Sequence, residues 1–243
     1  MCTGHDRKMV NAEVRKVDAL IFDKDGTLFD YHATWSVASA DLIETLSAGD
    51  ADRRKRLAEV MDFDLNLGQF RPTSAIIACT NREAAEIIWQ ALPDQDVDVL
   101  ERDLEDFAMN APLAPAVPLE PLLQGFLGQG LRLSIMTNDS ERGARSNLSH
   151  AGVLDHFEMI VGFDSGFGAK PYPDPLLAIA AQLGVAPERC AMVGDSTHDL
   201  IAGRAAGMQS VAVLTGVAEA DELRPHADVV LRDIGEIPAW LRQ

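Results

Sequence analysis

The chain is expected to fold as an α/β protein: a parallel sheet with helices on both faces, broken early by a helical insertion. Three observations on its 243 residues predict this. Short, largely apolar segments, Val17–Phe22, Leu131–Met136, Cys190–Val193 and Ser210–Leu214, read as strands, the first of them as one buried in a parallel sheet. From Leu119 onward such segments alternate with helical patterns, which implies parallel pairing. Between about Ala33 and Asn110 apolar residues recur at helical spacing, with no convincing strand among them.

Residues 1–16 are polar and aperiodic and read as a flexible tail. Val17–Phe22 is the first buried strand. Trp35, Ala38, Leu42 and Leu46 mark one helix, and Leu57, Val60 and Met61 a second. The stripes Ala84-Ile87-Ile88-Ala91-Leu92 and Val97-Leu100-Leu104-Phe107 mark two more, so this block reads as a small helical bundle. The four prolines of Ala111–Pro121 form a return linker. Leu119–Leu127 is a helix stopped by Gly128 and Gly130, Leu131–Met136 a strand, Arg142–His150 a helix and Met159–Val161 a strand. Asp174-Pro175 starts a helix through Leu183, with Asp174 as its cap. Cys190–Val193, Asp199–Ala206, Ser210–Leu214 and Val229–Leu231 complete the alternation. The division is therefore a tail at 1–16, a core at 17–33 and 117–243, and a helical insertion at 34–116.

Apolar residues make up 47% and charged residues 24%, as in ordinary globular proteins. A net charge of −17 argues against nucleic-acid binding and against docking on anionic membranes. A small anionic substrate stays possible, because a few local cations outweigh a distant acidic surface. Cys2, Cys79 and Cys190 have no metal-binding or disulfide spacing and read as thiols in a reducing cytosol. The first residues lack the apolar stretch of a secretion signal, and no apolar run reaches membrane-spanning length, so a cytoplasmic protein is expected. Monomer and homodimer are not distinguished.

The first strand ends in Asp23-Lys24-Asp25-Gly26-Thr27. Ligands of open parallel sheets bind beyond the carboxyl ends of the strands. Residues two apart in extended chain point the same way, so the carboxylates of Asp23 and Asp25 can face one site. Like charges that close call for a cation or a proton, and hard carboxylate oxygens suit magnesium. Gly26 permits a sharp turn that brings peptide N–H groups near a phosphate. One carboxylate can attack phosphorus while the other handles protons. The pentapeptide alone also fits a plain turn in which two acids cap a strand.

Other strand ends add to it. Leu131–Met136 leads into Thr137-Asn138, Met159–Val161 into a loop carrying Lys170, and Cys190–Val193 into "GDSTHD" with Asp195 and Asp199. Singly, Thr137 fits a turn former, Lys170 a surface lysine and Asp195 a helix cap. Their order, acid pair, threonine, lysine, acid pair, always after a strand, is not expected of independent accidents.

In "DKDGT", "MTN", Lys170 of "AKPYPDP" and "GDSTHD" the chain resembles the haloacid dehalogenase (HAD) superfamily of aspartate-nucleophile phosphohydrolases, over Val17–Phe29 and Pro118 to about Leu214. The insertion resembles the helical cap of its phosphoglycolate phosphatase-like subgroup. The resemblance implies a Rossmann-like, HAD-like core, with Asp23 as nucleophile forming an aspartyl-phosphate and Asp25 as general acid and base. It implies Mg2+ held by Asp23, the backbone carbonyl of Asp25, Asp195 and Asp199, the last directly or through water. Thr137 and the N–H of Asn138 would bind phosphoryl oxygens, with Gly26 at the turn, and Lys170 would offset negative charge. The implied activity is a magnesium-dependent phosphatase acting on a small phosphorylated metabolite, phosphoglycolate-like or a sugar phosphate. A phosphomutase or a non-catalytic phosphate-binding regulator is the alternative, and a dehalogenase would not need Asp25.

Around these motifs, alternation points Lys24 away from its neighbours, toward packing or a surface ion pair. His198 reads as a bystander and Trp35 as core packing. Arg71, in the aperiodic stretch "LGQFRPTSA" of the insertion, is a candidate for a substrate carboxylate or second phosphate, against the plain alternative of a solvated loop arginine.

Overall fold

Apolar runs with no polar face must be covered on both sides, and a helix-covered sheet does this. In the computed structural model, which describes residues 16–243, six strands form one sheet. They are β1 (Ala19–Phe22), β2 (Arg132–Met136), β3 (Met159–Val161), β4 (Cys190–Gly194), β5 (Gln209–Val213) and β6 (Val229–Leu231). Their order is β3-β2-β1-β4-β5-β6, and every neighbouring pair is parallel. From central β1 the chain moves out to β2 and β3, then crosses to β4 on the other side. The carboxyl ends of β1 and β4 are the switch point where such sheets bind ligands.

Side chains along β1 divide between two cores, as a period of two requires. Leu20 and Phe22 pack with Leu133, Phe126 and Val193 on one face. Ala19 and Ile21 pack with Met136, Leu176 and Met192 on the other.

The helices are α1 (Val37–Ser47), α2 (Ala51–Val60), α3 (Asn81–Trp89), α4 (Val97–Met109), α5 (Leu119–Gly128), α6 (Glu141–His150), α7 (Asp174–Leu183), α8 (Thr197–Ala205), α9 (Ala220–Leu223) and α10 (Ile237–Trp240). Those the sequence predicts match within a few residues. The four-residue α9 and α10 are too short to show a period. The cap of α7 is Pro173, with Asp174 inside the first turn, because Pro175 then sits where a missing N–H costs nothing.

Helices α1–α4 enclose a third core around Ile43, Leu57, Ile88 and Leu100. This block is not free of strands, as the sequence led us to expect. Phe63–Asp64 and Gln69–Phe70 pair as an antiparallel hairpin whose phenylalanine rings meet edge-on at 5.1 Å. Asp64 Oδ1 accepts from the N–H groups of Asn66 and Leu67 and so holds the turn. Strands of two residues carry no readable alternation.

The chain enters and leaves this block through one narrow neck. Asp30 N–H donates to Ala114 O at 2.8 Å, and Ala116 N–H to Leu28 O at 2.9 Å. The tail expected at 1–16 lies, apart from Lys16, outside the described residues, as does Cys2. Among the described residues no helix is long and apolar enough to cross a membrane.

Asn147 of α6 ties this block to the sheet. Its Nδ2 donates to the carbonyls of Ala108 and Met109 at the end of α4 (3.3 and 3.4 Å), and its Oδ1 accepts from Lys24 Nζ at 2.7 Å. All three partners lose a fully buried hydrogen-bonding group in Asn147→Ala. The expected cost is about 1–3 kcal/mol, read as a lower urea midpoint with an unchanged slope.

Candidate active site

Each strand end delivers one group. Asp23 follows β1 and extends its ladder, its N–H bonding Val193 O at 2.9 Å. Thr137 follows β2 in the same way, its N–H bonding Val161 O at 3.0 Å. Asp195 follows β4, and Lys170 rides the loop after β3. Asn138 clamps that loop with both ends of its amide. Its Oδ1 accepts from Lys170 N–H at 2.9 Å, and its Nδ2 donates to Lys170 O at 3.1 Å. So held, Lys170 Nζ lies 2.7 Å from Asp23 Oδ1, 2.6 Å from Asp199 Oδ1 and 3.1 Å from Met136 O. The four motifs of the sequence thus meet in one place.

Carboxylate oxygens of Asp23, Asp195 and Asp199 lie within 4.8 Å of one another. Asp199 is fully buried at the start of α8, in a reciprocal cap with Ser196, where the helix dipole favours an anion. Asp195 has a weaker partner, the Thr27 hydroxyl at 3.2 Å. The backbone makes room for it: a Cβ on Gly26, whose φ is +76°, would stand 2.3 Å from Asp195 Oδ2, and one on Gly216 would stand 1.7 Å away. Burial raises Asp23 to about 7, with Asp199 and Asp25 adding to the rise and Lys170 opposing it. Burial, then Asp23 and Asp199, hold Asp195 well above the usual carboxylate range. Burial alone would lower Lys170, but Asp199 and Asp23 outweigh it and raise the ammonium above its ordinary value. One lysine therefore leaves three converging acids undercompensated. An all-oxygen donor set with excess negative charge fits a hard divalent cation.

The sequence placed Lys24 at packing or a surface ion pair. The structure buries it completely, with Nζ 2.8 Å from Asp25 Oδ2, 3.1 Å from Asp139 Oδ2 and 2.7 Å from Asn147 Oδ1. Alternation does turn it away from Asp23, but the opposite side is an interior interface rather than solvent. The Asp25 side chain therefore stands apart from the acidic cluster. Its other oxygen accepts from Trp35 Nε1 at 2.9 Å. Trp35 is thus more than the core packing its helical spacing implied: its ring packs near Phe107, with centroids 6.3 Å apart, while its nitrogen holds an acid.

A cavity of about 140 Å³ opens from Asp23, Thr137 and Lys170 toward the helical block. Asp25, Asn138, Asp195 and His198 also line it, so His198 stands at the site. Asp199 lies behind Lys170 and does not line it. Gly26 does not line it either, and its N–H is taken by Phe29 O at 2.8 Å, so its part is the turn and the close approach to Asp195. Arg71 is not brought to the cavity. It is half exposed and paired with Asp62 Oδ1 at 3.2 Å and Asp64 Oδ2 at 2.9 Å.

Sequence reasoning passed over Asp139 and Tyr31, both of which line the cavity. Asp139 accepts from Asn81 Nδ2 of α3 at 3.2 Å as well as facing Lys24. Its place directly after Thr137-Asn138 was the available signal.

Comparison with known proteins shows the family. The family model for haloacid dehalogenase-like hydrolases matches residues 17–207. The chain belongs to the haloacid dehalogenase-like hydrolase family. It is 32% identical over 225 residues to a phosphoglycolate phosphatase of Chromobacterium violaceum, covering 92% of this chain and 96% of that one. It is 31% identical to the phosphoglycolate phosphatase of Xanthomonas campestris, covering 91% and 96%. The crystal structure of a predicted phosphoglycolate phosphatase from Haemophilus somnus superposes with a TM-score of 0.71 at 17% identity, covering 94% of this chain and 99% of that one, a likeness of fold.

The charge excess of this haloacid dehalogenase-like hydrolase sets its pH response. Asp23 holds its proton more tightly folded than unfolded, since its value rises from 3.8 to about 7. Its contribution to stability in chelator is therefore full below about pH 4 and lost as pH climbs through 7. Asp195 acts in the same sense. A divalent cation needs both carboxylates ionised, so added cation should raise Tm more at pH 8 than at pH 5.5. Equal increments at the two pH values would contradict this charge balance.

Proposed function

We propose that this hydrolase is a phosphatase of small phosphate monoesters, working through a covalent intermediate on Asp23. The observation that carries the proposal is the position of the Asp23 carboxylate. It faces the cavity, with Lys170 bonded to one oxygen, while a second acid two residues on is tethered separately by Lys24 and Trp35.

In this reading an Asp23 oxygen attacks phosphorus and the ester P–O bond breaks. Asp25 gives its proton to the departing alkoxide. A water then attacks the phosphorylated Asp23, losing a proton to Asp25, and the Asp23–phosphorus bond breaks to free phosphate and restore the carboxylate. Lys170 offsets charge on Asp23 and on the phosphoryl oxygens. Thr137 and the N–H of Asn138 contact those oxygens. Asp199, with Oδ2 engaged by Ser196 and Oδ1 beside Lys170, fixes the lysine. Asp23, Asp195 and the backbone carbonyl of Asp25 would hold Mg2+, with Asp199 behind them. Bound there, the ion neutralises the acids and polarises the phosphoryl group. Residues 34–116 act as a cap that excludes water and contacts the leaving group.

The names of the relatives make 2-phosphoglycolate a natural first substrate, with sugar phosphates beside it. Asp23→Asn should lower phosphate release by at least about a thousandfold, as removal of a nucleophile does. EDTA should abolish the activity and magnesium restore it. Turnover unchanged in either experiment would refute the mechanism, and an isomeric phosphate in place of free phosphate would indicate a mutase.

A further inference from the structure

The cavity changes character along its length. At the sheet end it is lined by acids and Lys170. Toward the cap its wall is made of Leu42, Met61, Phe70, Ile76, Ile77 and Leu104. Trp35 and Phe107 stand at the junction, their rings tilted 50° to each other. The polar groups on the cap side are neutral. Burial pushes the Cys79 thiol up to about 12, and burial and then Asp25 hold the Tyr31 phenol well above its ordinary value.

Among the described residues that line the cavity, Lys170 and His198 are the basic ones, and both stand on the sheet side. Lys170 is already shared between Asp23 and Asp199. Arg71, which the sequence suggested for a second anion, is engaged by Asp62 and Asp64 outside the cavity. The carboxylates of Asp23, Asp25, Asp139 and Asp195 line the same space. A carboxylate or second phosphate on the substrate would shed its water against an apolar wall, and no lysine, arginine or histidine among the described residues lines that side to receive it. An uncharged apolar group gains burial against that wall, beside the neutral Ser39, Thr80 and Asn81. The cavity, about 140 Å³, has room for a short branched chain or a single ring.

We infer that the site prefers phosphate monoesters whose leaving group is uncharged and largely apolar over carboxylated or doubly phosphorylated esters. This rests on the phosphatase reading and narrows its substrate class.

The test measures phosphate release by the full chain in magnesium from isobutyl phosphate, benzyl phosphate and 2-phosphoglycolate. Isobutyl phosphate keeps the shape of 2-phosphoglycolate while two methyl groups replace the carboxylate oxygens. Both uncharged esters should exceed 2-phosphoglycolate in kcat/KM by at least about tenfold, mostly through KM. Equal or faster turnover of 2-phosphoglycolate overturns the inference and leaves the phosphatase reading intact. No release from these three or from p-nitrophenyl phosphate overturns both. Ile77→Arg, which sets a cation in the cap wall, should shift the ratio toward 2-phosphoglycolate by about tenfold or more. An unshifted ratio in a variant with wild-type circular dichroism also overturns the inference, and the wild-type comparison stands whether or not the variant folds.

Discussion

A single ammonium group holds the site together. Lys170 Nζ bonds the carboxylate at the end of β1 and the carbonyl at the end of β2, and pairs with the carboxylate at the start of α8. Each of these groups is buried, and a buried ion without its partner is strongly destabilising, so none can move independently. Asn138 fixes the lysine's peptide from both sides and so converts a loop position into a rigid one. The nucleophile candidate is thereby oriented before any ligand arrives, which is where much of an enzyme's rate advantage originates.

A second ammonium group does comparable work one residue from Asp23. Lys24 gathers Asp25, Asp139 and Asn147, so the two lysines divide the acids of the strand ends into separate sets. One set keeps a surplus of negative charge suited to a cation, and the other is closer to neutral. The second set also touches the helical block at three points: Trp35 on Asp25, Asn81 on Asp139, and Asn147 on the last carbonyls of α4. The strand-end acids and the helical block are joined through Lys24, for which the sequence suggested packing or a surface ion pair.

The sheet was readable because strands covered on both faces leave short, largely apolar runs, and the acids were readable because they stand after those runs. Lys24 was misjudged because alternation gives a direction, not what lies there; its partner Asn147 comes 123 residues later. Trp35 announced a core position through spacing that is silent about its indole nitrogen. The two-residue strands Phe63–Asp64 and Gln69–Phe70 are too short for periodicity. The pairing of Arg71 was legible, because Asp62 and Asp64 stand within ten residues of it and a hairpin brings them alongside. The apolar character of the cap wall lay in residues scattered from Leu42 to Leu104, which only folding assembles.

The neck between Leu28–Asp30 and Ala114–Ala116 has a consequence for exchanging the segment it encloses. Its two backbone hydrogen bonds use no side chain, while the Thr34 hydroxyl accepts from the Ala114 N–H at 3.0 Å. The block also meets the strand-end acids where Trp35 donates to Asp25 and Asn81 to Asp139. With the Asn147 bonds to the Ala108 and Met109 carbonyls, these are the contacts that an exchanged block would have to reproduce.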